Sequence, residues 1–404
     1  MLSDITLIHP RSPFLINEAV FPPLSLMYLS ASLKLTGFSV QCIDMGLGTT
    51  LKKIDSKIVG ISFTTSQKEE AYEIVTQLKE QGKTLIAGGA HPTHMPNECL
   101  KKGFDYMIRG EADYSLPSFL SHSNKKDKII TGLEPTSLDC LPFPDRDCLP
   151  IRSYHYLIDD EPATTIITSR SCLYNCAYCA KISNKFRTQS AYRTVNEIRH
   201  INEVYGFKAF MIFDDTFAMD EKRLKEMTWL LKGKDFKFRC FGRANLLTRD
   251  ICALLKEMNV VEVGVGIESG SDKILKVNKK RTTVSQNILA VRNLHDFGIR
   301  TKAFMIIGLP GETERTIQET RLWMDVAKPD DVDFSIFQAM PGSDIFKNPD
   351  KYDIQIDYGD FPIWYKGGGL KYQAHSHTKE LTAKQIVIYR NELEEMYKNK
   401  AKLK

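Results

Sequence analysis

A chain of 404 residues, 42% apolar and 26% charged, has the length and composition of a two-domain globular protein, and it contains no apolar run long enough to span a bilayer. The net charge of +5 is modest, and its basic residues fall in short runs such as Lys279-Lys280-Arg281, which read as solvated faces and argue against nucleic acid as a partner. Nine cysteines is an odd count, and the start MLSDITLIHPRSPF lacks the features of a secretory leader, so a cytoplasmic setting is expected, with clustered cysteines as metal ligands or nucleophiles.

From the N-terminus, short apolar runs alternate with helical periodicity. Strands are expected at Ile5–His9, Phe38–Asp44, Lys57–Phe63, Thr84–Gly88 and Asp105–Ile108. The clearest helix is Lys68–Gln81, with Ala71, Ile74, Val75 and Leu78 on one face and Gly82 as its stop. This pattern predicts a doubly wound, flavodoxin-like parallel sheet, whose ligands sit beyond the carboxyl ends of the strands. Those ends carry His9-Pro10-Arg11, Ser62-Phe63-Thr64-Thr65, Gly88-Gly89-Ala90-His91 and Arg109-Gly110-Glu111.

Residues 1–140 resemble the cobalamin-binding domain that precedes many radical S-adenosylmethionine (SAM) enzymes. The likeness rests on Phe21-Pro22-Pro23-Leu24-Ser25-Leu26, Gly60-Ile61-Ser62-Phe63-Thr64, Gly88-Gly89-Ala90-His91-Pro92 and Gly110-Glu111. It implies cobalamin contacts from Pro23, Leu24, Ser62, Thr64, Thr65, Gly88, Gly89, His91, Gly110 and Glu111. The histidine-donating Asp-x-His-x-x-Gly motif is absent, and His9-Pro10-Arg11-Ser12 stands in its place. The resemblance then implies cobalamin held without a histidine on cobalt, or a domain that has lost the cofactor. His91 and His94 are read as polar rim or turn positions rather than substitute ligands.

The proline-rich stretch that starts at Leu141-Pro142-Phe143-Pro144 makes residues 141–162 a linker. Strand–helix alternation resumes over residues 163–346. Strands are expected at Thr165–Thr168, Ala209–Phe213, Lys237–Phe241, Val260–Ile267, Thr301–Ile307 and Val332–Phe337. A capping box at Thr194-Val195-Asn196-Glu197 marks one helix start. Six βα units fit a partial (β/α)6 barrel with function at the carboxyl ends of its strands.

The first of those ends leads into Cys172-Leu173-Tyr174-Asn175-Cys176-Ala177-Tyr178-Cys179. Three cysteines spaced C-x3-C-x2-C hold a [4Fe–4S] cube through three irons and leave the fourth open. Structural zinc asks for four ligands, usually in two pairs, and no second pair stands nearby. With Tyr178, this loop resembles the signature of the radical SAM superfamily, and later strand ends agree in order. The resemblance implies that the open iron chelates S-adenosyl-L-methionine, and that one electron cleaves it to methionine and a 5′-deoxyadenosyl radical.

Cosubstrate contacts are then expected from Tyr178, Asp214, Asp215, Arg243, Glu268, Ser269, Gly308 and Leu309. Arg243 suits a planar carboxylate, or else a salt bridge to Asp214 or Glu268. A buried Glu268 needs a partner. Glu312 reads as a first-turn helix residue. Residues 347–404 form a C-terminal extension: an aromatic and glycine-rich stretch, then a helix from Thr382 to Tyr397 that either closes the barrel mouth or packs on its wall.

A cobalamin domain before a radical barrel implies cobalamin-dependent methylation of an unactivated carbon on a small-molecule or peptide substrate, with flavodoxin or ferredoxin as reductant. The alternative is a radical rearrangement, cyclisation or oxidation in which cobalamin carries no methyl group. RNA methylthiotransferases share the barrel but carry three more cysteines in the first domain and a terminal nucleic-acid module, and this sequence has neither.

Overall fold

Residues 3–12, 15–51, 54–122, 126–357 and 372–401 are described in the computed structural model. The chain divides into two units, one holding the chain up to Tyr156 plus Lys181–Gln189, the other Leu157–Ala180 plus everything from Ser190 onward. The proline-rich residues 141–156 thus fold with the first unit, and the border falls at Tyr156/Leu157.

The first unit is built on β1 (Ile5–His9), β2 (Val40–Asp44), β3 (Ile58–Ser62), β4 (Thr84–Gly88), β5 (Tyr106–Arg109) and β6 (Ile129–Thr131). They form one sheet in the order β2-β1-β3-β4-β5-β6, with every neighbouring pair parallel. The order reverses between β1 and β3, where a doubly wound sheet opens its ligand crevice. β6 escaped the sequence reading because three half-exposed residues carry no buried-strand pattern. The helix Lys68–Glu80 buries Ala71, Ile74, Val75 and Leu78 in one core with Val59, Ile61 and Leu85 of the sheet. At about 25 cal/mol per Å² of apolar surface, each of the larger aliphatic side chains contributes roughly 1.5–3 kcal/mol.

The second unit is a curled sheet of β7 (Leu157–Ile158), β8 (Glu161–Ile166), β9 (Ala209–Ile212), β10 (Lys237–Gly242), β11 (Val260–Glu268), β12 (Arg300–Ile307) and β13 (Asp331–Ile336). β8 to β13 lie side by side in sequence order, all parallel, which is the expected six-stranded partial barrel. β7 adds an antiparallel edge through a hairpin to β8, in which Asp159 and Asp160 both adopt positive φ. The helix after β8 runs Ala191–Tyr205, four residues earlier than the Thr194 capping box suggests; Ser190 is its cap, accepting from Arg193 N at 3.1 Å.

The last helix, Ala383–Ala401, packs on this unit. Arg390 Nε donates to Phe334 O of β13 at 2.9 Å, and Tyr397 Oη donates to Arg321 O at 3.1 Å. Ile386 lies over the end of β12: a Cβ on Gly308, whose φ is +94°, would come within 2.9 Å of it. The aromatic and glycine-rich stretch 358–371 lies outside the described residues. No described helix is long and apolar enough to cross a membrane.

Candidate active site

The loop from Ser171 to Cys179 leaves the end of β8 through Ser171, whose φ of +70° turns the chain sharply. The middle of the loop is clamped from both sides. Ala177 N donates to Asn278 O at 2.9 Å, and Ala177 O accepts from Ile345 N at 3.1 Å. Ala177 is fully buried in an apolar cluster with Leu309, Phe337 and Ile345, with Tyr178 packed against it. Cys172 and Cys176 are half-buried and Cys179 is exposed. Among the described residues no three His, Cys, Asp or Glu side chains close around a common point. Thiolates of a [4Fe–4S] cube each bind a different iron and need no such point.

Cationic and polar groups surround these thiols. Arg243 Nη1 donates to Cys176 Sγ at 3.5 Å, and Thr216 Oγ1 lies 3.9 Å from Cys172 Sγ. Burial, then the charge of Glu268, holds the Tyr178 phenol well above its ordinary pKa, so it stays neutral. Arg243 meets neither Asp214 nor Glu268. Its guanidinium lies on the Tyr174 ring and its Nε donates to Asn245 Oδ1. Its Nη2 is buried with no protein partner, a donor left over for a bound carboxylate.

Asp214 and Asp215 part company. Asp215 is exposed, whereas Asp214 is fully buried. Its Oδ1 accepts from the backbone N–H groups of Thr168 and Ser169 at 2.6 and 3.0 Å, and its Oδ2 from their hydroxyls at 2.6 and 2.7 Å. Asp214 thus braces the chain just before the cysteine loop. The helix Glu221–Leu231 is capped by Asp220, not by Asp215.

Glu268 sits at the end of β11 in a left-handed conformation, φ +69°, and pairs with Lys280 Nζ at 2.7 Å. Lys280 is only 5% exposed, although the run Lys279-Lys280-Arg281 reads as a solvated face. Gly266 makes the pair possible: a Cβ there would come within 2.6 Å of Glu268 Oε1 and 2.9 Å of Lys280 Nζ. Ser269 is buried and its Oγ accepts from Ser271 N at 3.2 Å.

After β12, Leu309 is buried in the core that carries Ala177, and Gly308 N donates to Glu312 Oε2. Glu312 is not in the first turn of the next helix, which spans Glu314–Ala327 behind the cap Thr313. It is fully buried, and burial raises its carboxyl from 4.5 to about 8. Such a group stabilises the fold below its unfolded pKa and loses that contribution as pH rises through about 8. The rise is worth on the order of 5 kcal/mol. Glu312→Gln is expected to flatten the pH dependence of the melting temperature between pH 5 and 8.5; parallel slopes in both proteins would count against a buried acid here.

In the first unit, β3, β4 and β5 end around a small open pocket with a cavity volume of about 40 Å³. Ser62, Gly88 and Gly89 line it, with Leu7, Leu26 and Leu116 among the apolar wall. A Cβ on Gly88 would meet nothing within 4 Å, so no protein packing demands glycine there. Gly89 differs: its φ is +99°, and a Cβ would come within 2.7 Å of Phe63 O. Leu24 is buried at the start of the helix Leu24–Leu35, for which Pro23 is the cap residue.

Other expected cobalamin contacts are committed internally. Thr65 Oγ1 bonds His91 Nδ1 at 3.1 Å, and His91 Nε2 bonds Tyr72 Oη at 3.1 Å, so His91 is buried rather than on a rim. Thr64 Oγ1 donates to Gln67 Oε1 at 2.9 Å. Gly110 N donates to Thr93 Oγ1 at 3.0 Å. Glu111 forms a two-pronged ion pair with Arg187, a residue the sequence reading passed over because it lies in the other domain's sequence.

Comparison with known proteins agrees with both halves. Residues 166–324 match the radical SAM superfamily, and residues 18–120 match the B12 binding domain. An uncharacterized methyltransferase of Pyrococcus horikoshii is 28% identical over 362 residues, spanning 81% of this chain and 78% of that protein. The anaerobic magnesium-protoporphyrin IX monomethyl ester cyclase of Rubrivivax gelatinosus is 24% identical, over 83% of this chain and 67% of the cyclase. Among solved structures, the radical SAM methyltransferase TsrM of Kitasatospora setae, with cobalamin and a [4Fe–4S] cluster bound, superposes with a TM-score of 0.70. That match covers 96% of this chain and 81% of TsrM at 15% identity.

Proposed function

We propose that this chain, which belongs to the radical SAM superfamily and carries a B12-binding domain ahead of its barrel, methylates an unactivated carbon with the help of cobalamin. When bound, a [4Fe–4S] cluster supplies the electron that splits S-adenosylmethionine, and cobalamin supplies a methyl carrier. Cys172, Cys176 and Cys179 would hold the cluster, with Ala177 pinned so that the loop keeps its shape. The free Nη2 of Arg243 and the Glu268–Lys280 pair offer charges of both signs to the carboxylate and ammonium of the cosubstrate. Neutral Tyr178 and buried Leu309 offer it apolar surface. Asp214 acts through Thr168 and Ser169 as a positioning residue.

The observation that carries the cobalamin half is Gly88, bare backbone beside a cavity at the carboxyl ends of a parallel sheet. The substrate is a small molecule or a peptide. A flavodoxin or ferredoxin in the cytoplasm is the natural reductant, and nucleic acid is not a substrate. The likeness to a cyclase supports a second reading, a radical transformation without methyl transfer.

Anaerobic reconstitution with iron, sulfide and hydroxocobalamin, then gel filtration, tests the proposal. Iron and cobalt are expected to co-elute with the protein, and, once titanium(III) citrate has reduced the cobalt to cob(I)alamin, trideuteromethyl-labelled S-adenosylmethionine is expected to leave its label on the retained cobalamin. Gly88→Leu is expected to fold and keep iron but to bind cobalamin at least tenfold more weakly. Cobalt that washes away from the wild type sinks the methyl-transfer reading. Retained cobalamin that takes no label moves the assignment to the second reading.

A further inference from the structure

Arg243 is built into the cysteine loop rather than merely placed near it. Its guanidinium lies over the face of Tyr174, 3.7 Å from the ring centroid. Tyr174 is itself a residue of the loop, between Cys172 and Cys176. Arg243 Nε donates to Asn245 Oδ1 at 2.8 Å, and Asn245 Nδ2 donates to the Tyr174 hydroxyl at 2.7 Å. The ring, the amide and the guanidinium therefore close a circuit that fixes the cation. From that position Nη1 donates to Cys176 Sγ at 3.5 Å, with Arg243 only 4% exposed. Lysine has neither the flat face nor the second set of donors for this arrangement.

We infer that Arg243 sets the reduction potential of the cluster by holding its positive charge and an N–H donor against the Cys176 thiolate. The inference rests on the reading of this loop as a cluster site. Reduction adds one electron, drawn from a flavodoxin- or ferredoxin-class donor, and no bond forms or breaks. The reduced cluster is more negative by one charge, so a fixed cation and a donor to its sulfur stabilise it relative to the oxidised form. Little water reaches a cation this buried, so its field is weakly screened. The same geometry leaves Nη2 for a carboxylate, so Arg243 would serve the cosubstrate with one nitrogen and the cluster with another.

The two roles separate in a redox titration of the reconstituted holoprotein without S-adenosylmethionine, followed by electron paramagnetic resonance of the reduced cluster. Arg243→Gln is expected to lower the midpoint by at least 59 mV, the one-electron equivalent of a tenfold change in the reduction equilibrium. Arg243→Lys, which keeps charge but not the stacked geometry, is expected to fall between. Tyr174→Leu removes the platform and leaves the cation, and a smaller downward shift is expected. That variant decides the matter if Arg243→Gln fails to hold iron. Midpoints coinciding with wild type in cluster-loaded variants overturn the inference and leave the functional reading standing. A wild-type protein that assembles no cluster overturns both.

Discussion

Cys176→Ala, reconstituted beside the wild type, is expected to retain almost no cluster iron and to release no 5′-deoxyadenosine from S-adenosylmethionine under dithionite. On the proposed reading, three thiolates on one loop would hold three irons of the cube, and removing one would leave two irons without a protein ligand. Cys176 is the most telling of the three because its Sγ also accepts from Arg243. The substitution leaves a cation of 4% exposure without that acceptor, so some loss of stability should accompany the loss of iron. Cys252→Ala serves as the control: that thiol is fully buried and burial pushes it up to about 12, the behaviour of a core residue. Normal iron content with retained cleavage in Cys176→Ala would end the cluster assignment.

Lys280→Met is expected to lower stability by about 3–5 kcal/mol, because it leaves the buried Glu268 carboxylate without its cation. A fall of several degrees in melting temperature should report it. Binding of S-adenosylmethionine to the cluster-loaded protein should weaken at least tenfold as well. Gly266→Ala reaches the same pair without touching either charge, since its Cβ would stand 2.6 Å from Glu268 Oε1. It is expected to weaken the cosubstrate in the same direction. A Lys280→Met protein with unchanged melting temperature and affinity would show the pair to be dispensable.

What the sequence disclosed and what it hid divide along sequence distance. The cysteine loop was legible because its three thiols lie within eight residues of chain, in a spacing that suits a [4Fe–4S] cube. The two sheets were legible because their inner strands announce themselves by their own apolar runs, which the edge strands β6 and β7 do not have. Lys280 was not, because a lysine among Lys279 and Arg281 looks solvated until the fold buries it against Glu268. Asp214 was read toward a ligand because an acidic pair at a strand end leaves its target open. Its donors, on Thr168 and Ser169, belong to a neighbouring strand end far away in sequence. His91 was read as a rim or turn position and Thr65 as a cobalamin contact for the same reason: their bond to each other inside the unit joins residues distant in sequence. Glu312 was read into the first turn because the helix start was set too early: Thr313, with its own capping box, caps a helix that begins at Glu314.

The stretch Lys181–Gln189 gives the chain an unusual inheritance. It is encoded within the barrel but folds with the first unit, where Arg187 neutralises Glu111. Deleting the N-terminal portion would therefore not remove the B12-binding unit cleanly. A descendant shorn of it would still carry Arg187, a cation whose counter-charge had gone with the lost piece. A lineage that dispensed with the first unit would have to re-edit the loop that follows the cysteines.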